Sequence, residues 1–258
     1  MLKIREEQYE ELGKISLKSF EDSMVEHIKE FFPEQYEILG EPVVRLVIQY
    51  GVEQGEKYEF TTQRDVCLYI NTMFMLGSNF DADLQLSWAA DILKDESITD
   101  SVERTDALCE KTLEYLDRVA GTDEGYYKRA LLSVREVPVA EFSQSVTGGV
   151  EPRVIGQLQK IWPKKYEDMG ERTVRRLIRH ALESAKEYNI TSDRGIMVYS
   201  GLMFMLGGGF DKDPQFPWAQ SVLNDESMTN EAAKVDRLYK EAMAFLEKCL
   251  SWRPKAEG

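Results

Sequence analysis

The chain has 258 residues, of which 43% are hydrophobic and 30% are charged, so it is expected to fold around a core rather than to be disordered. No apolar run reaches the roughly 20 residues of a membrane-spanning helix, and the first residues lack the apolar segment of a secretory signal peptide. The three cysteines show no metal-ligand spacing, which favours reduced thiols, no metal and a cytoplasmic location.

The net charge of −14 is confined to one half of the chain. Residues 1–130 contain 14 Lys and Arg against 28 Asp and Glu, whereas residues 131–258 contain 18 of each class. A field of this sign repels nucleic acid and anionic lipid and attracts basic partners. We therefore expect no nucleic-acid or membrane partner.

The first predicted element is a helix over residues 16–31, which ends before Pro33. Its apolar residues recur at helical spacing and are expected to face the core: Leu17, Phe20, Met24, Ile28 and Phe31. After a tight connection over 32–41, a second helix is predicted over 42–58, with its counterpart over 171–188.

The centre of the chain is a segment that occurs twice. Residues 61–99 and 191–229 align without a gap at an offset of 130 positions, and about half of the aligned residues are identical. Thr61 and Thr191 are predicted N-caps of two buried helices, 62–76 and 192–206, and Gly77 and Gly207 are predicted to end them.

Each copy continues through a loop into a short helix that carries Trp88 or Trp218. An amphipathic last helix follows, over 100–119 in the first copy and 230–250 in the second. We predict an all-α fold of two tandem duplicated helical-bundle modules with four to five helices each. The first module, 1–125, is acidic; the second, 131–258, is charge-neutral with a basic helix.

The repeated loop resembles an uncharacterised bacterial family with the pattern FDxDPQxPW, which is associated with type VI secretion and polymorphic toxin loci. The second copy matches that pattern with Phe210, Asp211, Asp213, Pro214, Gln215, Pro217 and Trp218. The first copy departs from it, with Leu84 and Ser87 in place of the two prolines. The resemblance implies a role beside a secreted toxin, as an immunity protein or as an adaptor or chaperone.

The aspartates of this loop do not meet the pattern of a calcium-binding EF-hand, which needs Gly at position 6 and Glu at position 12. They are expected instead to close turns and to cap the tryptophan helix, and one of them to pair with Arg64 or Arg194. With two histidines and no glycine-rich phosphate loop after a strand, the sequence indicates no catalytic residues, no metal and no cofactor. The protein is predicted not to be an enzyme; a site between the two modules is the alternative.

The candidate partner-binding surface is an acidic face of helix 100–119. Its carboxylates step by three or four residues and so share one side of the helix: Glu103, Asp106, Glu110, Glu114 and Asp117. A solvated helix face is the other interpretation of this pattern.

The acidic face predicts a protein that neutralises a basic toxin or effector by direct contact, with Tyr115 or Tyr36 as aromatic anchors. An effector adaptor or chaperone and a structural assembly protein are the alternatives, and a homodimer is possible. A basic run in the second copy is expected to dock onto the acidic copy or onto another protomer, with a phosphate-bearing ligand or a solvated face as the alternatives: Lys164, Lys165, Arg172, Arg175, Arg176 and Arg179.

Overall fold

The computed structural model describes residues 6–136 and 149–253, with side chains described from Leu17 onward. Every regular element in these ranges is helical, so the all-α prediction is confirmed. The first five residues, on which the expectation about a signal peptide partly rests, lie outside the described part of the chain. None of the described helices combines the length and apolar character needed to cross a membrane.

Each half of the chain contributes six α-helices, one more than the four or five expected. In the first half they are α1 (Glu6–Phe31), α2 (Pro33–Leu39), α3 (Glu41–Glu56), α4 (Gln63–Leu76), α5 (Ser87–Leu93) and α6 (Ser101–Val119). In the second half they are α7 (Gly125–Glu136), α8 (Val150–Ile161), α9 (Pro163–Glu187), α10 (Asp193–Leu206), α11 (Pro217–Leu223) and α12 (Glu231–Ser251).

The backbone bends at equivalent positions in the two halves, at Gly40 and at Gly170. Gly40 separates α2 from α3 with φ 78° and ψ 152°, and Gly170 bends α9 with φ 70° and ψ 152°. Both glycines have positive φ, which residues with a Cβ rarely adopt. α9 therefore corresponds to α2 and α3 together.

The buried apolar side chains form two clusters, one in each half. The first extends from Met24 to Tyr115 and the second from Ala130 to Leu246. The central helices α4 and α10 supply much of both cores, and nine residues of α10 are buried. Residues 126–130, which lie between the two predicted modules, belong to α7, whose Ala130 and Leu131 pack in the second core.

The central helices begin one residue later than predicted. Thr62 and Ser192 are the N-caps, and their hydroxyl oxygens accept the backbone N–H groups of Asp65 and Gly195. Thr61 and Thr191 lie one position before the caps. In each pair both candidate residues are hydroxyl-bearing, so the sequence did not distinguish them.

The two halves place a carboxylate at the start of the central helix by different routes. In the first half, buried Asp65 accepts hydrogen bonds from the hydroxyls of Thr62, Ser101 and Thr105. In the second half, position 195 is glycine, and Glu231 from α12 accepts the N–H groups of residues 191 and 192. Burial raises the pKa of each carboxyl, but these hydrogen bonds outweigh it and lower both pKa values.

The two tryptophans occupy equivalent environments. The ring centroid of Trp88 lies 5.9 Å from that of Tyr115, and that of Trp218 lies 6.0 Å from that of Phe245. Tyr115 and Phe245 are related by the same offset of 130 residues. Both tryptophans are half-buried, because each closes the edge of its core rather than the centre.

Candidate functional site

The repeated loops meet each other at the seam between the two halves. The first 3-10 turn, Phe80–Ala82, is followed by a second, Leu84–Leu86, which Asp83 caps through a 2.8 Å bond from the Gln85 N–H to its Oδ1. Asp213 Oδ1 accepts the Gln215 N–H at 2.8 Å in the same way. These aspartates therefore close the turn before the tryptophan helix, as predicted, but they do not cap that helix, so the capping part of the prediction is wrong.

The second oxygen of each aspartate binds the opposite half. Asp83 Oδ2 accepts the backbone N–H of Gly208 at 2.6 Å, and Asp213 Oδ2 accepts that of Ser78 at 2.7 Å. Positions 78 and 208 are equivalent under the 130-residue offset, so the exchange is reciprocal. The contact has the self-complementary form of an interface in a two-fold symmetric dimer, but it lies within one chain.

The glutamines of the loops extend this exchange. Gln215 Nε2 donates to the backbone oxygen of Met73 at 2.9 Å and to Ser78 Oγ at 3.0 Å. Gln85 Nε2 donates to the backbone oxygen of Met203 at 3.0 Å. All these groups are buried, and burial raises the pKa of Asp213 although hydrogen bonds from Ser78 and Gln215 oppose it. The shared motif thus stabilises the packing of the two halves.

Close approach explains the glycines that end the central helices. Gly77 and Gly207 have φ of 99° and 112°, as expected for positive-φ C-caps. A Cβ on Gly77 would also lie 3.2 Å from the backbone oxygen of Leu206, across the seam. A side chain at Gly77 would therefore press against the other half, whereas at Gly207 an added Cβ would meet ordinary contacts and the positive φ is the constraint.

The remaining loop aspartates bind tyrosines rather than arginines. The hydroxyl of Tyr58 donates to Asp81 Oδ2 at 2.6 Å, and that of Tyr188 donates to Asp211 Oδ2 at 2.8 Å. The prediction that a loop aspartate pairs with Arg64 or Arg194 is wrong.

The arginines instead pair with the last helix of each half: Arg64 with Asp106, and Arg194 with Asp236. Within the described ranges, no group of three or more His, Cys, Asp or Glu side chains is arranged to hold a metal ion.

The predicted acidic face lies on α6, and all five of its carboxylates are exposed. Two of them are engaged: Asp106 with Arg64, and Glu114 with Lys111, whose hydrogen bond lowers the pKa of Glu114. The other three, Glu103, Glu110 and Asp117, form no ion pair with any described residue.

Among the three cations of α6, Lys111 alone pairs with the acidic face, through Glu114. Arg104 donates to the backbone oxygens of Tyr58 and Ile98, and Arg118 pairs with Asp168 of α9 at 2.8 Å between Nε and Oδ1. With five carboxylates against three cations, the helix keeps a net negative charge.

The aromatic anchors proposed from the sequence are not available at this face. Tyr115 is buried against Trp88, and Tyr36 is half-buried with its hydroxyl 3.4 Å from Glu41 Oε2. The large apolar side chain exposed within the acidic face is Leu113, at 58%. Leu113 is about one helical turn after Glu110 and one turn before Asp117, so it is a neighbour of both on the helix surface.

Two residues of the basic run form their ion pairs inside the second half: Arg175 pairs with Glu151 and Glu171, and Lys164 pairs with Glu167. Lys165 donates to the backbone oxygen of Phe204 at 2.6 Å, and burial lowers its pKa to about 8. An ion pair does join the halves, but its cation belongs to the first half: Arg118 of α6 pairs with Asp168 of α9.

Comparison with models of known protein families, with curated proteins and with solved structures finds no match for this chain. The candidate site is therefore defined by its own geometry: an exposed acidic face on α6 with one apolar side chain inside it.

Proposed function

We propose that this protein neutralises a basic bacterial toxin or effector by direct contact, and that the acidic face of α6 is part of the contact surface. The observation that carries the proposal is the set of uncompensated carboxylates Glu103, Glu110 and Asp117 on one exposed face. Like charges at this spacing oppose one another by a few tenths of a kcal/mol per pair. A face that keeps this cost at three carboxylates without ion pairs to described residues is suited to a cationic partner.

The second half supports this interpretation because the same fold is built there without the acidic face. The positions equivalent to the five carboxylates are Ala233, Asp236, Lys240, Ala244 and Glu247. Among these positions, Asp236 forms the same ion pair as its counterpart, because it pairs with Arg194 as Asp106 pairs with Arg64. The second half therefore folds without most of the carboxylates that form the acidic face in the first half.

Neutralisation would proceed by occlusion. Acidic side chains on α6 face the basic surface with which the toxin binds its own target, and the bulk of the first half covers that surface. Electrostatic complementarity of this kind accelerates encounter and selects the partner more than it raises affinity. An adaptor or chaperone would use the same contact but would leave the toxin active, which separates the two roles by experiment.

The test captures partners from the native host with the wild-type protein and with a variant in which Glu103, Glu110 and Asp117 are replaced by lysine. A basic protein retained by the wild type and lost by the variant supports the proposal, and co-expression should then relieve the growth inhibition that this partner causes. Persistent toxicity in the presence of bound wild-type protein would indicate the adaptor role.

The matched control has the same change in charge elsewhere on the first half, with lysine at Glu53, Glu56 and Glu96, which are also exposed. Capture that is unaffected by the α6 variant, or equally reduced by the control, would refute the role of this face.

A further inference from the structure

In the first half, α1 and α6 both pack on α4 but make few contacts with each other, which leaves a groove over α4 between them. His27 of α1 lies in it, with Nε2 3.0 Å from Asn71 Oδ1 and 3.8 Å from Cys67 Sγ of α4. The ring of Phe31 packs on that of His27 at 4.7 Å between centroids. Leu113 of α6 stands on the other side. Phe31 and Leu113 are 61% and 58% exposed, so the groove presents apolar surface to solvent.

The corresponding groove of the second half, over α10 between α8 and α12, is covered by α7. This helix packs against both α8 and α12, and its Ala130 and Leu131 are buried in the second core. Beneath it remains a cavity of about 70 Å³, lined by Val134 of α7 and by Gln157 and Gly201, among others. Gln157 and Gly201 are the counterparts of His27 and Asn71.

Burial of the equivalent side chains shows what the covering helix does. Ile161 and Met243, the counterparts of Phe31 and Leu113, line the cavity under α7 and are partly buried. In the first half the same two positions carry larger or equally apolar side chains and are mostly exposed. The first half therefore exposes the surface that the second half places beneath an amphipathic helix.

The charges around the open groove indicate what kind of helix it fits. α7 presents Ala130, Leu131 and Val134 to the core and carries basic residues on its other sides, including Lys128 and Arg129. The wall of the open groove is the acidic face of α6, where Glu110 and Asp117 flank Leu113 without ion pairs to described residues. An amphipathic helix with basic flanks matches both the apolar floor and the acidic wall.

We propose that the groove over α4 binds one basic amphipathic helix of a partner protein, seated on the first half as α7 is seated on the second. Its apolar stripe contacts Phe31 and Leu113, and its basic residues face Glu110 and Asp117. This inference deepens the proposed function and rests on it for the identity of the partner, but the groove can be tested without that partner.

The probe is a displayed library of 16-residue peptides built on the pattern of residues 125–136, with apolar residues at i, i+3, i+4 and i+7 and with Lys or Arg on the flanks. A second library carries Asp and Glu on the flanks. Selection against the full chain should enrich peptides from the basic library alone. Their dissociation constants, measured by fluorescence anisotropy, should rise at least tenfold for Phe31→Asp and for Leu113→Asp.

The control variant is Leu46→Asp, since Leu46 is 53% exposed on α3, away from the groove, and its substitution should leave peptide binding unchanged. All three sites are exposed, so the thermal midpoints should stay close to that of the wild type.

Failure to enrich peptides, equal enrichment of acidic peptides, or binding that is indifferent to both groove variants would overturn the inference. So would a dimer of the chain that Leu113→Asp dissociates, because a second copy would then occupy the groove.

The outcomes separate this inference from the proposed function. A host partner that needs the carboxylates of α6 but is indifferent to Phe31 and Leu113 would leave the proposed function standing and refute the groove. Peptides that bind the groove while no partner depends on the acidic face would refute the proposed function and leave the groove standing.

Discussion

Replacing Gln215 with alanine tests whether the repeated loops hold the two halves together. The side-chain amide is buried and donates to the Met73 backbone oxygen at 2.9 Å and to Ser78 Oγ at 3.0 Å, both in the other half. Each buried hydrogen bond contributes about 1 kcal/mol net, and the lost methylene adds about 0.8 kcal/mol. The substitution should therefore lower the free energy of unfolding by about 2–3 kcal/mol.

Urea denaturation followed by circular dichroism measures this loss, and hydrogen exchange locates it. Because Gln215 acts across the seam, amide exchange should accelerate at residues 77–79 as well as at 207–215, while the centres of α4 and α10 stay protected. The reciprocal variant Gln85→Ala removes the bond to the Met203 backbone oxygen, which measures 3.0 Å, and should give a loss of similar or smaller size.

The matched control is Gln49→Ala, because this glutamine is exposed and its 3.3 Å contact to Glu21 stays inside the first half. Its cost should be below about 0.5 kcal/mol, as for most surface substitutions. If Gln215→Ala behaves like Gln49→Ala, or if exchange accelerates in the second half alone, the seam does not couple the halves and the reasoning is refuted.

Four other substitutions have expected outcomes. Gly201→Ala should raise the free energy of unfolding by about 1 kcal/mol in urea titrations. The glycine lies inside α10, the methyl group of alanine would occupy open space, and alanine favours the helix. Destabilisation would show that the site needs glycine. Trp218→Ala should cost about 3 kcal/mol, the low end for aromatic truncation, since the residue is half-buried; Trp88→Ala should match it, and a twofold difference in cost would deny the equivalence. The pKa of Glu231 is lower in the folded state than in the unfolded state, so the carboxylate stabilises the fold above an unfolded pKa of about 4.3, and this stabilisation is lost as pH falls through the folded value. The thermal midpoint of Glu231→Gln should therefore fall less steeply than that of the wild type between about pH 5 and pH 2. Parallel plots of thermal midpoint against pH for the two proteins would contradict this.

The fold was predictable where periodicity and repetition carry the information. The central helices and their glycine C-caps follow from apolar runs and from the 130-residue repeat, and the structure confirms them. The observed N-caps lie one residue after the predicted ones, because two adjacent hydroxyl residues, such as Thr61 and Thr62, are both suited to the position.

The seam could not be predicted from one copy of the motif. Asp83 and Asp213 cap local turns with one oxygen, which the sequence suggests, but the second oxygen binds a residue more than a hundred positions away. A short aspartate before a turn looks the same with or without that distant contact. The identity of the motif in both halves was the available signal, because a two-fold contact requires both partners to keep it.

The sequence predicted the acidic residues of the candidate site but not the apolar side chains that are exposed beside them. The carboxylates of α6 follow from spacing, and all are exposed. Phe31 fits the inward stripe of α1 and was expected in the core, but it is exposed. Whether such a residue is buried depends on the covering helix, which the second half has in α7 and the described part of the first half lacks.

The most direct test of the acidic face is the association rate of the captured basic partner as a function of salt. The rate for the wild type should fall steeply between about 0.01 and 0.15 M salt, as the Debye length shortens from roughly 30 to 8 Å. Lysine at Glu103, Glu110 and Asp117 should slow association by at least about tenfold at the lowest salt and remove most of the salt dependence, consistent with loss of electrostatic steering. Lysine at Glu53, Glu56 and Glu96 should have a smaller effect. Association rates that are the same for the wild type and the α6 variant at every salt concentration would contradict the account.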